Sequence, residues 1–229
     1  MSFFSIPTLR AFPITVSAAC TYTTSTDANT IILLHGENFI DYSPTVYTIT
    51  NNNATSAASP SKGVNFCNSM SFNGSSAYLT LPIGAAVNGL STYTVEGFFY
   101  LNSLTAASAV ITPATSSGLV WYIGSDGKIV IGDNVSYAFI GSAAISAGAW
   151  YHLAVVANGS GIKVFINGTL DASGSQFAFS GTSQSSNVGK NTSFGPGGAG
   201  YFNGNIDEFR ISNTARYSSN FTPPTAPFA

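Results

Sequence analysis

Hydrophobic and polar residues alternate along much of this chain with the period of two that is typical of β-strands. The clearest case is residues 92–101, which are rich in β-branched and aromatic residues. Such residues favour extended backbone, so this segment predicts a strand with one face in the core. One face carries Tyr93, Val95, Phe99 and Leu101, and the other carries Thr94, Glu96, Phe98 and Tyr100.

Short apolar runs and turn dipeptides predict further strands at intervals of about 8 to 12 residues. Residues 31–34 form a continuous apolar run that predicts a buried strand ending at His35. Asn-Gly and Asp-Gly pairs tolerate positive φ and mark turns at Asn73, Asp126 and Asn167. Helical periodicity is absent from the sequence. We therefore predict an all-β fold, an antiparallel two-sheet sandwich or jelly roll. The other predicted strands lie within residues 46–50, 70–81, 119–123, 128–131, 136–140, 150–156 and 162–166.

The closing segment, residues 201–217, predicts a turn followed by a strand that contains an acidic residue. Asn203-Gly204 favours a hairpin turn, so the strand should begin at about Asn205. At period two, Asp207 shares one face with Asn205, Phe209 and Ile211, while Ile206, Glu208 and Arg210 share the other. Burying an unpaired carboxylate on an apolar face costs a large free energy. Asp207 therefore needs a cation, a metal or several backbone amides as partners. We expect the ion site of the protein at this strand.

Composition restricts the classes of function that fit. The 229 residues are 45% hydrophobic and 7% charged, with a net charge of −2, whereas typical soluble domains are about 25% charged. A surface with so few charges associates readily, so we expect a homo-oligomer or a subunit of an assembly. Seven scattered Lys and Arg residues exclude nucleic acid as a partner. No apolar run reaches the roughly 18 residues of a membrane span.

Residues 1–26 are interpreted as an extended N-terminal docking arm that precedes a domain at residues 27–229. An apolar terminus with prolines either packs on a partner or frays. A secretory signal is the alternative, but Pro7 and Pro13 interrupt its short apolar stretch, so secretion is the less favoured interpretation. The docking contacts would come from Phe3, Phe4, Ile6 and Phe12.

The residues that could carry catalysis lack the partners that catalysis requires. His35 is accompanied by no nucleophile motif, and Glu96 has no second carboxylate two or four residues away. Both are interpreted as hydrogen-bonded structural residues, and we predict that the protein is not an enzyme. Cys20 and Cys67 are the only cysteines. Free thiols are the favoured interpretation, and the sequence leaves open whether the two are bridged.

Six segments in this order resemble the concanavalin A-like, laminin G-like jelly-roll family: residues 31–36, 70–79, 93–100, 150–156, 164–168 and 202–211. The resemblance covers about residues 27–228. Members often hold a structural Ca²⁺ through a carboxylate on the last strand and backbone carbonyls, which implies Asp207, a carbonyl near Gly74 and one near Asp27. The alternative, in which Asp207 caps backbone amides or pairs with an arginine, stays open. The enzyme branch carries Glu-x-Asp-x-x-Glu, a pattern that Glu96 lacks.

The ending of the chain, residues 215–228, resembles that of laminin G-like domains in bacteriophage structural proteins. This implies a non-enzymatic virion protein, a capsid decoration or short surface appendage, assembled in the host cytoplasm and docked on other virion proteins of the capsid or tail. The alternative is a lectin-like adhesion module that binds surface glycans. Trp121, Tyr122 and Tyr201 would then be stacking platforms, although core or interface roles for these aromatics are the competing interpretation.

Overall fold

Strands account for nearly all of the regular structure in the computed structural model of the protein. The structure describes residues 22, 24–60, 62, 63, 66–87, 89–104, 108–114, 119–132, 137–176, 185–191 and 200–229. Within these ranges one helical turn occurs, α1 (Gly84–Val87), and no helix is long and apolar enough to cross a membrane. The strands are β1 (Thr30–Leu34), β2 (Thr50–Asn52), β3 (Thr55–Ala57), β4 (Ser69–Asn73), β5 (Tyr78–Leu81), β6 (Thr92–Leu101), β7 (Ser108–Pro113), β8 (Val120–Ile123), β9 (Lys128–Gly132), β10 (Tyr137–Ala144), β11 (Trp150–Asn158), β12 (Ile162–Ile166), β13 (Thr169–Gly174), β14 (Ser186–Val188), β15 (Lys190–Asn191), β16 (Gly200–Tyr201) and β17 (Asn203–Ser212).

Two antiparallel sheets pack face to face, as the sequence predicts. In the described part of the chain, the first sheet has the strand order β13-β12-β11-β6-β17-β4-β3, with β1 also paired to β17. The second sheet has the order β10-β9-β8-β7-β14-β5-β2, and β15 and β16 form a short ribbon. The prediction of an all-β jelly-roll sandwich is confirmed. The central pairings, β6 with β11 and β6 with β17, join strands that are distant in sequence, so the fold depends on non-local contacts.

The core lies between the sheets, and the predicted inner face of β6 is part of it. Tyr93, Val95, Phe99 and Leu101 are buried in one cluster with Trp121 of the second sheet. The rings of Phe99 and Trp121 meet edge to face at a centroid distance of 5.4 Å. Alternation therefore predicted the core face of this strand correctly, because β6 is regular along its whole length.

Two predicted turns have different roles in the structure. Asn73-Gly74 connects β4 of the first sheet to β5 of the second, so it joins the layers rather than two paired strands. Asn203-Gly204 lies inside β17, which begins at Asn203 rather than Asn205. A Cβ at Gly204 would overlap the carbonyl oxygen of Tyr100. Glycine is therefore required there for close approach to β6, and the turn predicted at Asn203-Gly204 is wrong.

A β-bulge in β17 overturns the predicted position of Asp207. Asp207 pairs with Phe98 and Arg210 pairs with Glu96, so β17 has one more residue than β6 between these pairs. Glu208 adopts a φ of 53° there. The extra residue shifts the alternation by one position. Ile206, Phe209 and Ile211 face the core, and Asp207, Glu208 and Arg210 share the outer face.

The C-terminal tail, residues 213–229, crosses this outer face and covers it. The amide of Phe221 donates to the carbonyl of Gly168 at 2.9 Å, and the ammonium of Lys163 donates to the carbonyl of Ser218 at 2.6 Å. Phe228 is buried against Phe98 of β6. The outer face of the first sheet is consequently a second, partly charged interior that the tail covers.

Two sequence predictions concern residues 1–21. The docking residues Phe3, Phe4, Ile6 and Phe12 lie outside the described residues, and so does Cys20. Cys67 is disulfide-bonded, so the interpretation of free thiols is wrong for this residue.

Candidate functional site

A buried ionic network surrounds Glu96 on the outer face of the first sheet. Arg210 donates to Glu96 Oε1 from Nε at 2.9 Å and from Nη2 at 2.7 Å. The hydroxyl of Tyr217 donates to Glu96 Oε2 at 2.7 Å, and His152 Nε2 lies 3.3 Å from the same oxygen. Burial opposes ionisation of Glu96, but His152, Arg210 and Tyr217 hold its pKa below the usual value. Both oxygens are thus engaged, and Glu96 is the hydrogen-bonded glutamate that the sequence predicts.

A second cluster joins His35 to the tail. Glu208 Oε1 lies 2.8 Å from His35 Nδ1, and Glu208 Oε2 accepts the amide of Phe228 at 2.7 Å. The imidazole also stacks on Tyr22 at a centroid distance of 3.9 Å. These contacts agree with a structural role for His35, because one ring nitrogen and one ring face are occupied.

Asp207 lies in this second cluster, next to other acidic groups. Burial raises the pKa of Asp207 to about 9, and Glu208 and Glu37 add to that shift. Burial likewise raises the pKa of Glu208 to about 8. Asp207 Oδ1 accepts the amide of Glu208 at 2.9 Å, which is the type of contact that the amide-capping alternative predicts.

The other residues of the predicted metal site lie elsewhere. Gly74 lies beside Asn203, and its amide donates to the carbonyl of Phe202 at 3.0 Å. Asn203 is four residues from Asp207, or about 13 Å along a strand. Asp27 forms an ion pair with Arg216. Among the described residues, no group of three or more His, Cys, Asp or Glu side chains could hold a metal ion. The residues implied by the resemblance do not meet around one point, and calcium binding stays a prediction.

Of the three predicted stacking aromatics, one reaches the surface. Trp121 is 0% exposed in the core and Tyr122 is 5% exposed. Neither ring is available to a sugar, so the stacking prediction is wrong for these two residues and the core interpretation holds. Tyr201 is half-buried on the surface. It lies on β16, where it pairs with Lys190 of β15.

Tyr201 is part of a surface feature that we call the tyrosine notch, formed by Tyr78, Tyr201 and Lys190. The two rings have a centroid distance of 6.4 Å and are inclined by 58°. The ammonium of Lys190 lies 4.2 Å from the centroid of the Tyr78 ring and 6.0 Å from that of Tyr201. All three side chains are partly exposed. The notch therefore presents two aromatic rings and one positive charge to solvent.

Beside the notch, three polar side chains form what we call the polar ladder: Asn52, Thr80 and Asn187. The amide of Asn52 donates to Thr80 Oγ1 at 3.4 Å, and that hydroxyl donates to Asn187 Oδ1 at 3.2 Å. Thr80 follows Tyr78 by two residues on β5, so both side chains lie on the same face of the second sheet. Asn52 is also the strand partner of Tyr78. The ladder consequently adjoins the notch, with Asn52 and Thr80 partly exposed and Asn187 buried beneath them.

Sequence reasoning singled out Tyr201 and missed the other five residues. The sequence feature that could have identified part of this surface is residues 78–81, where Tyr78 and Thr80 alternate with two leucines. That pattern predicts which face of β5 is outside, but it does not show which strands lie beside β5. The ladder and the notch bring together β2, β5, β14, β15 and β16, and β5 pairs with strands β2 and β14 that are distant in sequence.

Comparisons with known proteins agree with this fold. A family model described as the concanavalin A-like lectin/glucanases superfamily matches residues 73–220. Domain 4 of AbnA, an extracellular arabinanase of family GH43 from Geobacillus stearothermophilus solved with arabinotriose, has a TM-score of 0.61 at 22% identity. That match covers 82% of this chain and 93% of the domain. A search of curated proteins finds no match.

Binding domains of botulinum neurotoxins are also similar. One is a type C structure described as requiring two ganglioside molecules for cell entry, with a TM-score of 0.59 at 13% identity. Another is the binding domain of botulinum neurotoxin DC in complex with rat synaptotagmin II, also with a TM-score of 0.59 at 13% identity. Each match covers 82% of this chain and 49% of the toxin domain, so the chain spans about half of their length.

Proposed function

Because the chain belongs to the concanavalin A-like lectin/glucanases superfamily, we propose that it is a non-enzymatic carbohydrate-binding module. The observation that carries this proposal is the tyrosine notch beside the polar ladder on the second sheet. A pyranose or furanose ring has apolar C–H faces that pack on aromatic rings, and its hydroxyls pair with amides and hydroxyls. The surface offers both kinds of group within one area.

The arrangement suits binding rather than hydrolysis. Glycosidases use two carboxyl groups placed on either side of the scissile bond. The notch and the ladder contain no carboxylate, and Glu96 and Glu208 are buried in the other sheet with their oxygens engaged. The notch and the ladder can still bind a sugar, because binding requires only ring stacking and hydrogen bonds.

Two of the similar structures support a sugar ligand. The arabinanase domain was solved with arabinotriose, and the type C neurotoxin is described with gangliosides. Neither sequence identity exceeds 22%, so these similarities show the fold alone. The proposal of a sugar ligand therefore rests on the residues of the notch.

A narrower proposal concerns where such a module works. The ending at residues 215–228 suggests a bacteriophage surface, on which the module would be a homo-oligomeric decoration or appendage that binds host glycans. The 7% content of charged residues supports burial of part of the surface in an assembly. Incorporation of the protein into purified virions, detected by mass spectrometry and cryo-electron microscopy, tests this context separately from sugar binding.

A glycan array followed by isothermal titration calorimetry tests the binding function. Tyr201→Ala and Tyr78→Ala should each weaken binding about tenfold or more, since aromatic stacking is a major part of sugar affinity. The matched control is Tyr100→Ala, because Tyr100 is also partly exposed and lies beside Trp150 on the first sheet. If Tyr100→Ala abolishes binding while Tyr201→Ala leaves it unchanged, the site is on the other sheet and our assignment is wrong.

A further inference from the structure

We propose that the sugar recognised by the tyrosine notch is acidic, and that Lys190 pairs with its anionic group. This inference rests on the proposed carbohydrate-binding function and specifies the ligand of the same site. It comes from the position of one ammonium group beside two aromatic rings. The ligand class would be glycans that contain a uronic, nonulosonic or sulfated sugar.

The ammonium of Lys190 lies next to both rings of the notch. It lies over the Tyr78 ring at 4.2 Å and 6.0 Å from the Tyr201 centroid, with 6.4 Å between the rings, so the three groups form a triangle. The backbone of Lys190 is held in place, because its carbonyl accepts the hydroxyl of Thr112 at 2.6 Å. A sugar packed on Tyr201 would therefore have a positive charge at its edge.

Lys190 differs from three of the other basic residues that the structure describes, Arg210, Arg216 and Lys163. Arg210 and Arg216 form ion pairs with Glu96 and Asp27, and Lys163 donates to a backbone carbonyl of the tail. Within the described residues, the ammonium of Lys190 contacts two tyrosine rings and no carboxylate. It retains its capacity to donate hydrogen bonds to an anion.

The acidic residues whose contacts are described are engaged away from the notch. Asp171 accepts two backbone amides of β10, Asp41 accepts those of Ser43 and Tyr47, and Asp126 caps its own turn. The notch is thus a positive site on a chain with a net charge of −2. An anionic sugar complements that charge, whereas a neutral sugar leaves the ammonium unpaired.

Matched pairs of glycans test this inference on the full chain. The array should contain uronic-acid oligosaccharides with their methyl esters, sialylated glycans with their asialo forms, and sulfated glycans with their desulfated forms. We expect the acidic member of at least one pair to bind about tenfold more tightly. That preference should fall as salt is raised from about 0.05 to about 0.5 M, because the Debye length shortens about threefold over this range. Which pair responds identifies the source of the anion.

Variants of Lys190 then connect the preference to this side chain. Lys190→Met should remove the preference for the acid and leave the affinity for the neutral partner within about twofold, whereas Lys190→Arg should keep the preference. Lys163→Met is the control, since Lys163 lies on the first sheet and contacts the tail. Equal binding of acidic and neutral partners overturns the acidic ligand while preserving the binding function. Absence of binding to every glycan overturns the proposed function itself and this inference with it.

Discussion

Arg210 donates two hydrogen bonds to one oxygen of Glu96, from Nε at 2.9 Å and from Nη2 at 2.7 Å. The two residues are cross-strand partners on β17 and β6, and they are 7% and 0% exposed. Tyr217 of the tail completes the network by donating to the second oxygen. The pair therefore connects the two central strands of the first sheet to the segment that covers them.

Replacing Arg210 by methionine should destabilise the protein by about 3–5 kcal/mol, because it leaves a buried glutamate without its counter-ion. Guanidinium chloride unfolding followed by tryptophan fluorescence measures this loss. The double variant Glu96→Gln with Arg210→Met should lose less than the sum of the single variants, since the two side chains interact directly. A loss below about 1 kcal/mol for Arg210→Met would show that water or relaxation compensates the charge.

Gly168→Ala should detach the tail from the first sheet. Gly168 has a φ of +76°, and a Cβ there would overlap the carbonyl oxygen of Phe221. We expect a loss of about 1–3 kcal/mol beyond that of Gly159→Ala, whose φ of +91° is comparable but whose Cβ would meet only Thr92 Oγ1 at 3.8 Å. Hydrogen exchange of the Phe221 amide, which bonds to Gly168, should accelerate in the first variant alone. Equal behaviour of the two variants would remove the steric explanation.

Stability should fall as pH rises from 6.5 to 8. Asp207 and Glu208 have pKa values raised from 3.8 and 4.5 to about 9 and about 8. At a pH between its unfolded-state and folded-state pKa values, each carboxyl group binds more protons in the folded state. Each group therefore lowers the free energy of unfolding by at most about 1.4 kcal/mol per pH unit. Thermal unfolding in buffers of equal ionic strength measures the slope. Asp207→Asn should flatten it.

The pH window matters because other groups in the same cluster have opposite effects. Burial lowers the pKa of His35 from 6.5 to about 4, so its contribution to stability increases between those values and is complete above 6.5. Burial also lowers the pKa of Lys62 from 10.5 to about 8, so it adds stability above pH 8. A stability that is constant from pH 6.5 to 8 would contradict the raised pKa values of the two carboxyl groups.

Asp171→Ala should loosen the contact between the edges of the two sheets. Asp171 on β13 accepts the amides of Ser142 and Ala143 on β10 at 3.0 and 2.7 Å. Because these bonds are partly exposed, we expect a loss of about 1 kcal/mol and faster aggregation through the freed amides of β10. Light scattering during mild heating measures aggregation. Asp126→Ala is the control, since the described hydrogen bond of Asp126 is to the local amide of Lys128, and it should aggregate like the parent protein.

Much of the architecture could be predicted from local patterns. The inner face of β6 follows from alternation at Tyr93, Val95 and Phe99, and the buried strand β1 follows from the apolar run at residues 31–34. These predictions succeed because burial acts on every second residue of a regular strand, whatever its partner is. The resemblance of six ordered segments supplied the jelly roll. The structural role of Glu96 also followed from the lack of a second carboxylate nearby.

What the sequence by itself determined is therefore which residues form strands and which faces of regular strands are apolar. Tertiary structure decided the rest. The bulge at Glu208 moved Asp207 to the outer face, because β17 must match β6 on one side and both β4 and β1 on the other. The tyrosine notch exists because β5, β15 and β16 meet there although Tyr78 and Tyr201 are far apart in sequence. Such contacts depend on non-local pairing, which no local pattern of residues encodes.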